Sequence, residues 1–390
     1  MNNSPKISII VPCFNVENSV QETLDSILSQ SYSKFEVICV DDKSTDDTLK
    51  VLSAYAKKDE RITILKHSVN KSLYMARKTG LSVASGDYVM HVDSDDTISK
   101  DALEVLVSAV SKESPDIILF QTKIVDAGGN KKSEIDDFEK AVSFKLEENK
   151  IYSGEDLAKK CFIEHKINYA VWNKIYKKEL AQKIYSLGRD CYKNMSEDLY
   201  AFMLVLPNVE KAVFINKKLY EYKVGCGMST KNITPFINTR NRLQMIEFIN
   251  QAREILKDKD YCKKFIAIYN RFSEETMYYI FDSFVYDLSI SEGAEIFENI
   301  ITQIGFEKAI DYLKENYCFA KTLFMQKILN CKTVKENLEE YKKYKNFAKL
   351  CESKDKKIKP NKKRNFLKLK HSIKFNGLFG TIKRMIKNIF

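Results

Sequence analysis

The 390-residue chain is poor in glycine and proline, with twelve and six, which excludes collagen-like and linker-like chains. No run reaches the ~18 uncharged apolar residues of a membrane-spanning helix. The nine cysteines are odd in number and scattered, with no CxxC pair. That pattern predicts reduced thiols rather than a disulfide framework or a zinc site. No basic-then-apolar leader precedes the first expected strand, so a cytoplasmic location is the expectation. There is no GxGxxG and no GxxxxGK, which argues against a dinucleotide oxidoreductase and a P-loop enzyme. Pro12-Cys13-Phe14-Asn15 is likewise not the glycine-rich turn that a nucleotidyltransferase would need after its first strand.

What is present has a globular balance, 44% hydrophobic and 30% charged, and length enough for two or three domains, since one core rarely exceeds about 250–300 residues. The net charge of +11 is uneven. Residues 354–390 hold thirteen Lys/Arg against the single acid Asp355, a net +12, so the remainder sums to −1. A nucleic-acid enzyme would carry basic character across its working surface; a short basic tail points to an anionic membrane leaflet. Within it Leu378, Ile382, Met385, Ile386 and Ile389 line one helical face opposite Lys383, Arg384 and Lys387. This fits an interfacial helix, the alternative being a helix docked on its own protein. Lys354–Arg364 reads as a solvated linker.

Over the first ~120 residues two periods alternate. Strands are expected at Ile7–Val11, Phe35–Val40, Ile62–Leu65, Tyr88–Val92 and Ile117–Phe120. Helices are expected between them, one with the stripe Val20, Leu24, Ile27, Leu28, one after a cap at Ser44 or Thr45, then Leu73–Ala84 and Asp101–Ser111. Such alternation means a mostly parallel sheet covered on both faces. Gly128–Lys150 reads as a loop or hairpin. A helix capped by Ser153 and an α+β continuation to Tyr222 follow, then helices from Thr234 to Cys351. The domains expected are 1–230, 231–352 and 353–390.

Ligands of parallel sheets bind beyond the carboxyl ends of the strands, so residues leaving strands are the candidates. Three loops qualify: Pro12 to Asn15, Asp41 to Asp46, and Asp93-Ser94-Asp95-Asp96. Carboxylates at i and i+2 leaving a strand can face one hard cation, Mg²⁺ or Mn²⁺, that shares its other sites with phosphate and water. A lone triplet of this kind can equally cap the next helix. His91, within a strand, reads as a packed core histidine.

The runs Ile7–Asn15, Ser26–Tyr32, Phe35–Asp46, Ala76–Gly80 and Ala84–Tyr88, in this order and followed by the acidic triplet, resemble glycosyltransferase family 2. A looser likeness to the family's bacterial polysaccharide transferases continues through Val171–Tyr176 and Ser196–Leu199. The resemblance covers about residues 5–125 closely. It implies a GT-A fold, Rossmann-like, with residues 1–125 binding a nucleotide sugar and 126–230 on the acceptor side; the helical region and tail beyond, read from their pattern alone, resemble nothing specific. It also implies a nucleoside-diphosphate sugar donor, UDP-linked in the first instance, a divalent metal and inversion at the anomeric carbon. In that reading Pro12, Phe14 and Asn15 flank the donor base and Asp42 accepts from its N–H. Asp93 and Ser94 meet the ribose or metal. Asp95, with Asp93 and Asp96, holds the metal, and Arg77 faces the diphosphate. Asp198 is the general base, with its neighbour Glu197 as the alternative.

Several of these residues also have plainer readings. Asp198 can simply stabilise the start of a helix capped by Ser196, and Arg77 can be a surface residue. Trp172, the only tryptophan, is either core or a platform under an acceptor sugar, and Lys174 is a lesser candidate for the diphosphate. Gly225–Thr230 is either a lid or an ordinary loop. The family usually carries glycine near Ser72, a small residue near Tyr74 and Asn near Lys78, so sugar selectivity does not transfer. The expected activity is sugar transfer to a surface-glycan or lipid-linked acceptor, as in capsule or lipooligosaccharide assembly, at the inner face of the membrane. The competing expectation is a non-catalytic nucleotide-sugar binder or scaffold of such an assembly.

Overall fold

The computed structural model describes residues 4–127, 142–190, 196–224 and 234–305, with short stretches at 135–136, 139–140, 308–310, 312–313 and 327–328. The expected lid at 225–230 and the basic tail at 353–390 lie outside the described residues. The described residues fall into two compact units, Met1–Asn232 with Phe248–Phe272, and Ile233–Glu247 with the residues from Ser273 on. The segment Phe248–Phe272 joins the first unit through Tyr269, whose hydroxyl donates to Met203 O at 2.7 Å, and through Phe162, whose ring meets Tyr269 and Phe272. No helix of the described residues is long and apolar enough to cross a membrane.

All five expected strands form. β1 (Ile7–Cys13) is buried along its whole length, as a central strand covered on both faces requires. It pairs in parallel with β2 (Phe35–Asp41) and β4 (Tyr88–His91), and β2 pairs in parallel with β3 (Ile62–Lys66). Pro12 sits beyond the last β1–β4 pair, Ile10 with His91, on a stretch bonded only to β2, where its missing N–H costs no ladder bond. β5 (Thr97–Ile98), β6 (Ile117–Asp126), β7 (Lys174–Lys177) and β8 (Ala212–Val224) complete one sheet of order β3-β2-β1-β4-β7-β6-β8-β5. β7 runs antiparallel between β4 and β6, while β6 and β8 are parallel.

Helices cover the sheet. α1 (Val20–Leu28) buries Val20, Leu24 and Ile27, the expected stripe. α2 (Thr48–Ala56) begins after Asp47, not after Ser44 or Thr45. Those two are drawn off to the β1 loop: Ser44 Oγ accepts from Asn15 N and Thr45 N donates to Asn15 Oδ1. α3 (Leu73–Val83) lies close on β1 because Gly80 has no side chain; a Cβ there would meet Ile10 Cγ2 at 2.6 Å. α4 (Ala102–Glu113) returns to β6. α5 (Gly154–Phe162) starts at the expected Ser153 cap, which Asp156 completes as a capping box. α6 (Lys178–Leu187) and α7 (Glu197–Val205) follow. Ser196 precedes α7 in a left-handed conformation and makes no side-chain cap bond, contrary to expectation. α8 (Pro235–Leu256), α9 (Lys263–Tyr286) and α10 (Ile290–Ile304) form the helical region.

Candidate active site

The loops leaving β1 and β2 are stitched into one surface. Besides the Ser44 and Thr45 bonds, Val16 N donates to Thr48 Oγ1 at 2.8 Å and Glu17 N to Asp46 Oδ2 at 3.1 Å. The carbonyl of the Asn15 side chain is thereby spent on Thr45. Phe14, by contrast, is 44% exposed, a large apolar ring left open beside these loops. Asp42 is buried and almost saturated. Its Oδ1 accepts from His67 Nδ1 at 2.6 Å and Lys71 N at 2.8 Å, and its Oδ2 accepts from Ser72 N at 2.9 Å. Two carboxylate oxygens offer about four acceptor positions, so among the described residues one, on Oδ2, stays open. His67 in turn meets Thr79 Oγ1 through Nε2 at 2.9 Å. It was not among the sequence candidates, although a histidine directly after β3 is a signal that could have raised it. Ser72 holds φ +93, a conformation favoured by glycine, in the stretch where the resemblance leads one to expect a glycine nearby.

Beyond β4, Asp93 to Asp96 make a turn closed by Asp96 N to Asp93 O at 3.1 Å. The three acids part company there. Asp96 is buried; its Oδ2 accepts from the Tyr220 hydroxyl at 2.7 Å and its Oδ1 from Lys223 N at 2.8 Å. The same hydroxyl accepts from Asp93 N. Asp96 thus anchors the turn to β8 with both oxygens, which leaves it poorly placed for the metal role. Asp95 has no ion pair among the described residues, and burial and the neighbouring Asp93 charge push its carboxyl up to about 6. Burial, with Asp95 and Asp93 beside it, likewise raises Asp96. Ser94 is buried in the turn. No group of three His, Cys, Asp or Glu side chains converges as a metal site among the described residues. The donor set present is the carboxylate pair Asp93 and Asp95, crowded with negative charge. It suits a hard divalent cation that takes its remaining ligands from phosphate and water.

Arg77 is neither a surface residue nor turned to an open diphosphate site. It is 1% exposed on α3, and its guanidinium gathers three acids from two distant elements. Nη2 donates to Asp93 Oδ1 at 2.9 Å, and Nη1 to Glu197 Oε1 at 3.0 Å and Asp198 Oδ1 at 2.5 Å. One cation cannot neutralise three carboxylates, of which Glu197 is buried and Asp93 and Asp198 are half-buried. Burial and the adjacent Asp198 charge, only partly offset by Arg77, push Glu197 up to about 8, and burial raises Asp93. Asp198 is held from its other side as well, Oδ2 accepting from Val171 N at 3.2 Å. The structure therefore brings Asp93, Arg77, Glu197 and Asp198 together at one place.

Two further candidates lie away from any open surface. Lys174 is fully buried and its ammonium is bonded to the 168–173 turn, so it does not reach out to a diphosphate. Trp172, 7% exposed, stacks on Tyr220 and Tyr222 with centroids 4.9 and 5.2 Å away; it is a packed wall rather than an open platform. His91 is packed in the core against Tyr176 and Tyr185, and burial together with Arg77 holds its imidazole well below the usual range.

The family model described as Glycosyl transferase family 2 matches residues 8–185. Glycosyltransferase GlyA of Streptococcus pneumoniae is 27% identical over 326 residues, 80% of this chain and 44% of that protein. The uncharacterized glycosyltransferase EpsJ of Bacillus subtilis is 30% identical over 221 residues, 56% of this chain and 61% of that one. The chain thus spans about half the length of these curated relatives. Among solved structures, S. aureus TarS 1–349 in complex with UDP-GlcNAc superposes with a TM-score of 0.54 at 21% identity, covering 87% of this chain and 90% of that one. The mostly parallel sheet, its flanking helices and this likeness establish the GT-A fold. Residues 8–185 form a glycosyltransferase family 2 domain, and the curated relatives it matches are named as transferases.

Proposed function

We propose that the chain moves a sugar from a nucleoside-diphosphate sugar, UDP-linked, to a hydroxyl of a surface-glycan or lipid-linked acceptor, with inversion at the anomeric carbon. The observation that carries this reading is the single buried guanidinium that ties the acid leaving β4 to the acids opening α7. Direct displacement needs one base on the face opposite the leaving group, and a second carboxylate nucleophile is not required. Asp198, gripped by Arg77 and the Val171 amide, is that base; it takes the proton of the attacking hydroxyl, a role typically worth ~10²–10⁴ in rate. Glu197 at about 8 already holds a proton at neutral pH, so it is the weaker candidate. The exposed Phe14 ring covers the donor base, and the open position on Asp42 Oδ2 takes one N–H from it. Asp95 and Asp93 hold a divalent cation. When bound, that ion neutralises charge on the departing diphosphate, a contribution of several kcal/mol.

The names of the relatives support the substrate class: GlyA is named a glycosyltransferase and EpsJ an uncharacterized one, and TarS is described with UDP-GlcNAc. The +12 tail at 354–390 supports residence at the inner face of the cell membrane, beside lipid-linked acceptors. A panel of nucleotide sugars with Mn²⁺ or Mg²⁺, followed by released nucleoside diphosphate, tests the activity. Turnover that Asp198→Asn abolishes is expected; no turnover with any donor and acceptor would leave the non-catalytic binder as the better reading. Truncation after Glu352 is expected to release the protein from anionic vesicles, and unchanged co-sedimentation would remove the membrane assignment.

A further inference from the structure

Lys174 is a buried cation that the proposed chemistry does not use. It stands at the start of β7 with no exposed surface. Its ammonium carries three hydrogens and meets three oxygens: Ala170 O at 2.5 Å, Asn173 Oδ1 at 2.7 Å and Asn168 O at 3.1 Å. The rings of Phe144 and Phe202 close the cage, each 4.9 Å from Nζ. Placing an ammonium here costs several kcal/mol in desolvation before its partners offset it, and an apolar side chain would fill the space more cheaply. What the charge achieves is to draw together two main-chain carbonyls of one short turn. The next residue in that turn is Val171, whose N–H grips Asp198, and the one after is Trp172. The Asn168 side chain ties the same turn down, accepting from Ala170 N and Asn173 Nδ2 and donating to Val142 O.

We propose that Lys174 is a positioning residue for the general base: by clamping the carbonyls of Asn168 and Ala170 it fixes the 168–172 turn, so that the Val171 N–H holds Asp198 toward the acceptor and Trp172 seats on Tyr220 and Tyr222. Burial pulls the ammonium down to about 7, while Cys161 on α5 and Asp198 on α7 act the other way. The three oxygens and two ring faces also favour the charged form. The clamp is therefore a cation whose hold depends on a cage complete on every side. This inference rests on the reading of Asp198 as base, but its effect on the turn can be measured without that reading.

The experiment compares Lys174→Met and Lys174→Gln in the full chain. Glutamine keeps an N–H donor for the carbonyls and serves if the methionine variant does not fold. Three results are expected. Binding of UDP is unchanged, while kcat falls about 10²-fold with the donor KM retained, the scale of a small misplacement of a reacting group. The emission of Trp172, the only tryptophan, shifts in both variants. In an Asp198→Asn background the Lys174 substitution costs nothing further, because both act through one group. Weakened UDP binding with kcat unchanged would return Lys174 to the donor site and overturn the proposal. Unchanged Trp172 emission, or losses that add to those of Asp198→Asn, would reduce it to a packing residue. If Asp198→Asn is as fast as the parent, the base assignment fails, yet the emission shift still decides whether Lys174 sets the turn.

Discussion

Two neighbouring parts of the same unit bury carboxylates and treat them in opposite ways. Beyond β2, Asp42 is met by donors from His67, Lys71 and Ser72, so its charge is balanced by the protein itself. Around Arg77, one cation faces Asp93, Glu197 and Asp198, with Asp95 close by. There burial outweighs compensation, and the Asp93, Asp95 and Glu197 carboxyls are pushed up. The first arrangement is complete before any ligand arrives and leaves a single acceptor position, which is how a rigid recognition site is built. The second is electrostatically unfinished, and a cation and a substrate hydroxyl can relieve it. Sites that perform acid–base chemistry are where such imbalance is tolerated.

The largest effect should come from breaking the unfinished side at its base. Asp198→Asn keeps the shape and the Arg77 contact but cannot accept a proton. Transfer is expected to fall ~10²–10⁴-fold with nucleotide binding retained, as steady-state rates and titration calorimetry would record. An equal loss of both would mean that the residue supports the fold and not the chemistry. Next is Arg77→Met. It leaves the buried Glu197 and the half-buried Asp93 and Asp198 without their cation, and removing one partner of a buried charge group costs about 3–5 kcal/mol, a ceiling here because two of the acids keep some solvent. Denaturant unfolding should show that loss at neutral pH, with part of it recovered as acid protonates the carboxylates.

A smaller loss is expected on the saturated side. Asp42→Asn turns one acceptor into a donor, which must then face either the Ser72 amide or the His67 and Lys71 donors. Hydrogen bonds to a charged group contribute about 1.5–3 kcal/mol, so UDP affinity should weaken roughly tenfold or more while bound-state turnover changes little. If affinity holds and turnover collapses instead, the division between a recognition side and a chemical side is wrong.

That division was only half legible in the sequence. The periods gave the strands, and the rule that ligands sit at strand ends pointed to the β1, β2 and β4 loops, where Phe14, Asp42 and the acidic turn indeed lie. Periodicity assigns a residue to an element, but it does not say where a charged end points. Arg77 was drawn toward a diphosphate, yet Tyr74, Arg77 and Leu81 recur on one buried stripe of α3, a spacing that already placed the arginine inside. Asp93, Asp95 and Asp96 look equivalent on paper. Only the arrival of Tyr220 and Lys223 from β8, more than a hundred residues later, takes Asp96 out of the set. Lys174 opens a four-residue strand with a lysine at each end; nothing local reveals that the first is caged and the second exposed.

The smallest change expected is the most selective test of the imbalance. Glu197 titrates at about 8 in the folded chain against an ordinary 4.5. Between those values the folded state therefore binds the extra proton. The stability it contributes is complete below the lower value and is lost as pH rises through the upper one, at up to about 1.4 kcal/mol per pH unit. Glu197→Gln imitates the protonated form and still offers Arg77 an oxygen. At pH near 7 it should be close to the parent in rate, because the folded parent's carboxyl already holds its proton; in stability the two should agree only toward pH 4.5, below which the unfolded parent is protonated as well. Across pH 5 to about 8, unfolding free energies of the parent should fall more steeply than those of the variant, and the gap should stop widening once Glu197 ionises in the folded chain at about 8. Parallel curves would mean that Arg77 keeps Glu197 charged, and the guanidinium would then have charge enough for all three acids.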